Sequence, residues 1–216
     1  MDPIVASFIT HVADFFIKGG FFMFIILGVS IAAVTVMILR GTAIRHQRVL
    51  PAVLIDEIEN LQPGDSLDRL QDLIRENPSP LSRVLYTLIQ HLTWPRAEVI
   101  EAVQTRARSE IAKLESGLVI LEITTGIGPL LGLLGTLSGL VSVFGAVGTD
   151  PAIVARGIAE ALNTTMAGLG VSLPSLIMFS YFQRRIEVMA IEMESLSADL
   201  IAKCYSQGNT PTIEKL

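Results

Sequence analysis

The chain has 216 residues, half of them hydrophobic and only 17% charged, with a net charge of −5 and a mean hydropathy of +0.56. This is too apolar for a soluble domain of that length and typical of a polytopic membrane protein, and the few, scattered basic residues exclude the electrostatic footprint of a nucleic-acid binder. A single cysteine, Cys204, permits neither an internal disulfide nor a cysteine-based metal cluster, and His11, His46 and His91 are too widely spread to form a ligand motif, so no metal site is expected.

The first residues lack a basic region and a small-residue cleavage motif, so the first hydrophobic helix is expected to remain as an anchor. Ile4, Val5, Phe8, Ile9, Val12, Phe15 and Phe16 fall on one helical face, opposite Asp2, Thr10, His11 and Asp14. That pattern predicts an amphipathic interfacial helix over residues 1–18. Residues 21–39 carry no charge and are long enough for a hydrocarbon core of about 30 Å, which sets a first transmembrane helix at 19–40. Arg40, Arg45 and Arg48 follow it, against Lys18 alone on the other side, so the amino terminus is expected outside and the next segment in the cytoplasm.

Residues 41–115 read as a cytoplasmic helical loop, with helices at 49–61, 67–76 and 81–92. Breaks fall at Gln62-Pro63-Gly64-Asp65 and Asn77-Pro78-Ser79-Pro80, Ser66 is placed to cap the second helix, and Thr93-Trp94-Pro95 opens a further one. From Arg96 no breaker occurs before Pro129. Ile100, Val103, Ala107, Ile111, Leu114, Leu118 and Leu121 step by three and four, predicting one long helix that enters the membrane without stopping. Charges cease after Glu122, giving a second transmembrane helix at 116–147, an outer turn, and a third transmembrane helix at 152–183. Arg184 and Arg185 mark its cytoplasmic end, and residues 184–216 read as a cytoplasmic C-terminal helix and tail. The acidic residues Glu57, Glu59, Asp65, Asp68 and Asp72 read as a solvated helical surface. The expected fold class is an all-α integral membrane protein with three transmembrane helices, N-out and C-in, and long cytoplasmic helical extensions.

One residue stands out against this background. Glu160 is the only carboxylate within the third apolar segment. An ionisable group at that depth costs about 2.5–3.5 kcal/mol on insertion scales and usually faces a cavity, a partner or an ion path. The competing reading is a structural pair with Arg156, one turn earlier. At 1.5 Å per residue, Thr136 and Glu160 lie roughly 18 Å and 15 Å below the same outer turn, so antiparallel neighbours would bring both to mid-membrane. Asn163, Thr164 and Thr165 add polar atoms at that depth. Gly128/Gly132 and Gly135/Gly139 are small-xxx-small pairs suited to close helix packing, within the chain or between copies. The glycines follow no strand and end in no Gly-Lys-Ser/Thr, which excludes a phosphate loop. No nucleophile–base pair, metal cluster or cofactor loop argues for an enzyme, and no cofactor is expected.

The strings GPLLGLLGTLSG at residues 128–139 and GIAEALNTTMAGLGVSLP at 157–174 resemble the ExbB/TolQ branch of the MotA/TolQ/ExbB proton-channel family. The likeness is close over about residues 114–185 and looser elsewhere. It implies a homo-oligomeric ring, a pentamer in that family, which forms the stator of an inner-membrane motor in bacteria. The ring surrounds a dimer of ExbD/TolR-like single-span subunits, whose aspartate carries the proton, and drives a TonB- or TolA-like protein across the periplasm. By this resemblance Thr136, Glu160 and Thr165 fall on the family's ion pathway. Gly128-Pro129 stands where Ala-Pro is usual, Arg156 where some members have proline, and Met166 where alanine is common. Flagellar stators of the family have four spans, against three here. The alternative reading is an autonomous ion channel or membrane scaffold in which Glu160 pairs with Arg156.

Overall fold

The structure is a computed structural model that describes residues 20–145 and 151–206, and of Glu160 the backbone alone. The expected interfacial helix at 1–18, the outer turn before Pro151 and the end of the tail lie outside the described residues. Those described form eight helices: α1 (Gly20–Ala43), α2 (His46–Val49), α3 (Ala52–Asn60), α4 (Asp68–Glu76), α5 (Pro80–Gln90), α6 (Arg96–Glu115), α7 (Val119–Gly145) and α8 (Pro151–Tyr205). They divide into two compact units. The first holds the chain up to Leu39 together with Leu118–Tyr181, and the second holds Arg40–Gly117 together with the chain from Phe182.

Three helices, α1, α7 and α8, are long and apolar enough to cross a membrane. With 24 and 27 residues, α1 and α7 rise about 36 Å and 40 Å, more than the hydrocarbon thickness. Their surfaces invert the soluble pattern. In α1 only Met23, Ile26 and Ala33 are buried, whereas Phe21, Phe24, Ile31 and Ile38 are exposed. Leu130, Val141 and Phe144 of α7, with Leu162, Leu173 and Ile177 of α8, are exposed as well. Water would penalise that much apolar surface, and lipid or neighbouring chains would not.

Within the first unit, α7 buries Leu121, Thr124, Gly128, Gly132 and Gly135, and α8 buries Ala161, Thr164, Gly168, Ser172 and Ser175. Both sets step by three, four, four and three, one stripe of a 3.6-residue helix. The buried stripes consist mainly of small residues, so the two backbones approach closely.

The second unit resembles a soluble helical domain. Leu54, Ile58, Leu70, Leu81, Leu85, Leu88, Val99 and Val103 are buried, and α8 adds Phe182, Ile186, Met189, Met193 and Leu200 at helical spacing. Polar ties hold the end of α8 to this core. Lys203 Nζ donates to the carbonyls of Ile58 (2.7 Å) and Glu59 (3.1 Å), occupying acceptors at the C-terminal end of α3. Tyr205 Oη donates to the carbonyls of Leu92 (3.0 Å) and Trp94 (2.9 Å). Burial, and then the nearby Cys204, raise the Tyr205 pKa above its usual 10.0.

Two expectations need correction. The predicted helix at 49–61 is divided at Leu50-Pro51, because the residue before a proline is pushed out of the α region; Leu50 has φ −126° and ψ 84°. The unbroken helix predicted from Arg96 is likewise two, α6 and α7, with a turn at 116–118. The Ser116 hydroxyl donates to the Lys113 carbonyl (2.9 Å), and Arg40 Nη1 reaches the Leu114 carbonyl (3.5 Å). Arg40 can lie there because Gly117 has no side chain: a Cβ at that position would overlap the guanidinium. Ser66 accepts from the Asp68 backbone N–H (3.2 Å), although Leu67 occupies the capping position itself.

Glu110 on α6 joins three cations of the second unit. It is 1% exposed and contacts Arg83 (2.6 Å), Arg106 (3.0 Å) and Lys113 (2.9 Å). Burial by itself would raise its pKa, but the hydrogen bonds and charges of Arg83 and Lys113 outweigh it and hold the carboxyl below its usual 4.5. A depressed folded-state pKa means that the stabilisation is fully present above the unfolded value and is lost as pH falls through the folded one. The thermal midpoint of helix loss should therefore decline as pH drops below about 4.5. Glu110→Gln should remove much of that acid dependence and cost about 3 kcal/mol at neutral pH, at the low end for breaking a buried pair because the cations reach solvent. Circular dichroism melts of wild type and variant across pH check both outcomes.

Candidate functional site

The site lies where the two small-residue stripes of the first unit meet. A Cβ placed on Gly132 would lie 3.1 Å from Thr165 Cα and 3.2 Å from the Thr164 carbonyl. One on Gly139 would lie 3.0 Å from Ala161 Cβ, and one on Gly168 would lie 3.0 Å from Gly132 Cα. Side chains of Ser172 and Thr164 fill the spaces over Gly128 and Gly135. Residue numbers fall on one helix as they rise on the other, so α7 and α8 run antiparallel along this seam. Attraction between helices in lipid depends on such close contact, because lipid tails are as apolar as leucine.

Close approach puts backbone carbonyls within reach of side-chain hydroxyls. Thr136 Oγ1 lies 3.1 Å from both its own-helix Gly132 carbonyl and the Ala161 carbonyl of α8. Thr165 Oγ1 reaches across to the same Gly132 carbonyl at 3.2 Å, and the two hydroxyls hydrogen-bond each other. Other hydroxyls are satisfied locally: Thr124 bonds Ile120 (2.7 Å), Thr125 bonds Leu121 (2.9 Å), Ser172 bonds Gly168 (2.8 Å) and Ser175 bonds Val171 (2.8 Å). Thr136 and Thr165 instead form a bridge between helices. Two protons have three acceptors there, the two carbonyls and the partner hydroxyl, so the pair has more than one arrangement of its hydrogen bonds.

Of the residues singled out in the sequence, the structure brings Thr136 and Thr165 together and sets Gly128, Gly132, Gly135 and Gly139 against α8. Glu160 lies on α8 five residues before Thr165, about 7.5 Å along the axis. Its side chain lies outside the described residues, as does any pairing with Arg156, whose own side chain is exposed. Sequence reasoning missed the α8 half of the seam, Ala161, Gly168, Ser172 and Ser175. The available signal was the spacing of these small residues, which repeats that of 121, 124, 128, 132 and 135.

Residues 76–195 match the MotA/TolQ/ExbB proton channel family. The chain belongs to that family. Its members are proton channels, so this ExbB/TolQ-family chain is a multi-pass membrane transport component and not an enzyme. It is 29% identical over 191 residues to an ExbB homologue of Methanothermobacter thermautotrophicus, covering 87% of this chain and 68% of that one. An ExbB-like protein of Synechocystis is 30% identical over 190 residues, covering 82% of this chain and 72% of its own. The Tol-Pal system protein TolQ of Pseudomonas aeruginosa is 35% identical over 95 residues, 42% of this chain and 41% of that one. The family match takes in α5 and α6 as well as the seam, so it extends across residues of both units.

Gly168→Ala should destabilise the first unit by about 1–3 kcal/mol, because its Cβ meets backbone that cannot turn aside. Gly126→Ala on the same seam helix meets nothing within 4 Å and should be neutral or stabilising by up to about 1 kcal/mol. Thermal unfolding of detergent-solubilised protein distinguishes the two, and equal effects would show that the close approach is not what the seam requires.

Proposed function

We propose that this chain is the proton-channel and stator subunit of a proton-motive-force-driven motor in a bacterial inner membrane, and that it energises a TonB- or TolA-like periplasm-spanning protein. In this reading five copies form a ring around a dimer of ExbD/TolR-like single-span subunits. The amino terminus lies outside and the second unit lies in the cytoplasm. The observation that carries the reading is the interhelical Thr136–Thr165 hydroxyl pair, whose Thr165 shares α8 with Glu160, within a chain of the proton-channel family.

The chemistry follows from the charges. Glu160 is the sole carboxylate in the apolar stretches 20–43, 123–145 and 151–183. A carboxylate in low dielectric favours its protonated form, and a change in hydration makes it release that proton. The chain supplies one such group, and the partner's aspartate supplies the carrier that moves between hydrated and shielded positions. Thr136 and Thr165 offer donors or acceptors to either protonation state by reorienting their hydroxyls. Each charge that crosses releases about 2.3 kcal/mol per 100 mV, so repeated transfers accumulate the work needed to turn or pull the driven protein. The exposed apolar faces of α1, α7 and α8 suit contact with lipid and neighbouring copies.

Proton flux into liposomes tests this reading, using the chain co-reconstituted with its single-span partner. Flux should require the partner and should fall about tenfold or more in Glu160→Gln, equivalent to at least 1.4 kcal/mol. Undiminished flux in that variant would make Glu160 a structural partner of Arg156, and partner-independent flux would make the chain an autonomous channel.

A further inference from the structure

The second unit is slightly acidic, with sixteen Asp and Glu against fourteen Lys and Arg. One groove in it departs from that balance. Between the end of α4, α5 and α6 lies a cavity of about 410 Å³ lined by Arg75, Arg83 and Arg106, with Ser82, Tyr86 and Gln90 among its other walls and no Asp or Glu among its lining residues. Arg83 and Arg106 are held from behind by the buried Glu110 carboxylate, whose two oxygens are already engaged by these arginines and Lys113. Three cations, Arg83, Arg106 and Lys113, meet that one carboxylate, a local excess of two positive charges, and Arg75 lines the same groove. Arg75 is exposed and forms no ion pair among the described residues. Arg106 Nε is buried without a hydrogen-bond partner, an arrangement that buried donors seldom show.

Guanidinium groups present planar, forked donors that match phosphate oxygens two at a time. A concave, carboxylate-free wall with three of them differs from the usual scattered arginines on a solvated helix. Glu110 fixes two of the three, which reduces the entropy lost when they grip a ligand. Tyr86, 55% exposed, adds a hydroxyl and a ring to the rim. The volume lies within the range of small-molecule sites. We propose that this groove is a binding site for a phosphate-bearing small anion, with Arg75, Arg83 and Arg106 as its phosphate ligands. The phosphate can come from a soluble compound or from a lipid headgroup, and the recognition chemistry is the same. This site is separate from the hydroxyl pair, so the two assignments stand or fall independently.

Calorimetric titration of inorganic pyrophosphate into the full chain, in phospholipid-free detergent, tests it. Binding should be saturable, and Arg75→Gln should weaken it about tenfold while leaving the melting temperature unchanged, since this exposed side chain lies outside the Glu110 cluster. Arg75→Glu should abolish binding. Repeating the titration in nanodiscs separates the sources. Weaker pyrophosphate binding in the presence of phosphatidylglycerol than in phosphatidylcholine alone identifies a headgroup, and equal binding identifies a soluble anion. The proposal is overturned by the absence of saturation or by unchanged affinity in Arg75→Gln. It is also overturned if Arg75→Glu breaks up the oligomer while pyrophosphate fails to bind, because the groove then receives acidic residues of a neighbouring copy.

Discussion

The close approach of α7 and α8 is the constraint on which the first unit depends. Water cannot drive these helices together inside a bilayer, and their outward faces are as apolar as the lipid around them. Contact must come from backbones that can touch, and Gly128, Gly132, Gly135, Gly139 and Gly168 remove the side chains that would hold them apart. The same feature creates the polar site. With larger residues at 132 and 168, the Gly132 and Ala161 carbonyls would be shared less easily with hydroxyls of both helices. Packing and chemistry are thus two consequences of one stripe of small residues.

The second unit solves a different problem with ordinary means. Leucine-rich faces pack it, and ties such as Lys203 to the end of α3 and Tyr205 to Leu92 and Trp94 fix the last helix in place. Glu110 is costly to bury unless it is paired, and its three cations supply that pairing. The proposed motor role would need a rigid portion that repeated charge transfer does not loosen, and the leucine-packed, ion-paired construction of this unit is compatible with that proposal. It also carries a cationic groove whose geometry depends on the same buried carboxylate.

Much of the fold could be read from the sequence because lipid imposes long uncharged runs, and residues 21–39 can hardly be anything else. Proline and glycine located the loops of the second unit at 62–65 and 77–80. Periodicity failed at Leu50-Pro51, where the apolar pattern continues although the proline forbids the helix. It failed again at 116–118, where the apolar spacing runs on through a turn beside which Arg40, distant in sequence, occupies the space that a side chain on Gly117 would fill. For the site, residue type and depth pointed to Thr136 and Glu160 and the family resemblance to Thr165, yet the direct Thr136–Thr165 bond rests on a helix separation that sequence does not specify. The Arg83–Glu110–Arg106–Lys113 cluster was invisible for a related reason. Its members look like ordinary surface charges until α5 and α6 are placed side by side.

The hydrogen-bonded pair Thr136 and Thr165 is proposed to act as one unit in the proton path. The most direct measurement is a double-mutant cycle on proton flux, with Thr136→Val, Thr165→Val and the double variant each reconstituted with the single-span partner. Each single variant should slow flux about fivefold to tenfold, the scale of one lost hydrogen bond in a buried site. The double variant should be scarcely slower than either, because the first change already dissolves the pair. Multiplicative losses would show that the hydroxyls act separately, and wild-type flux in the double variant would remove both from the path.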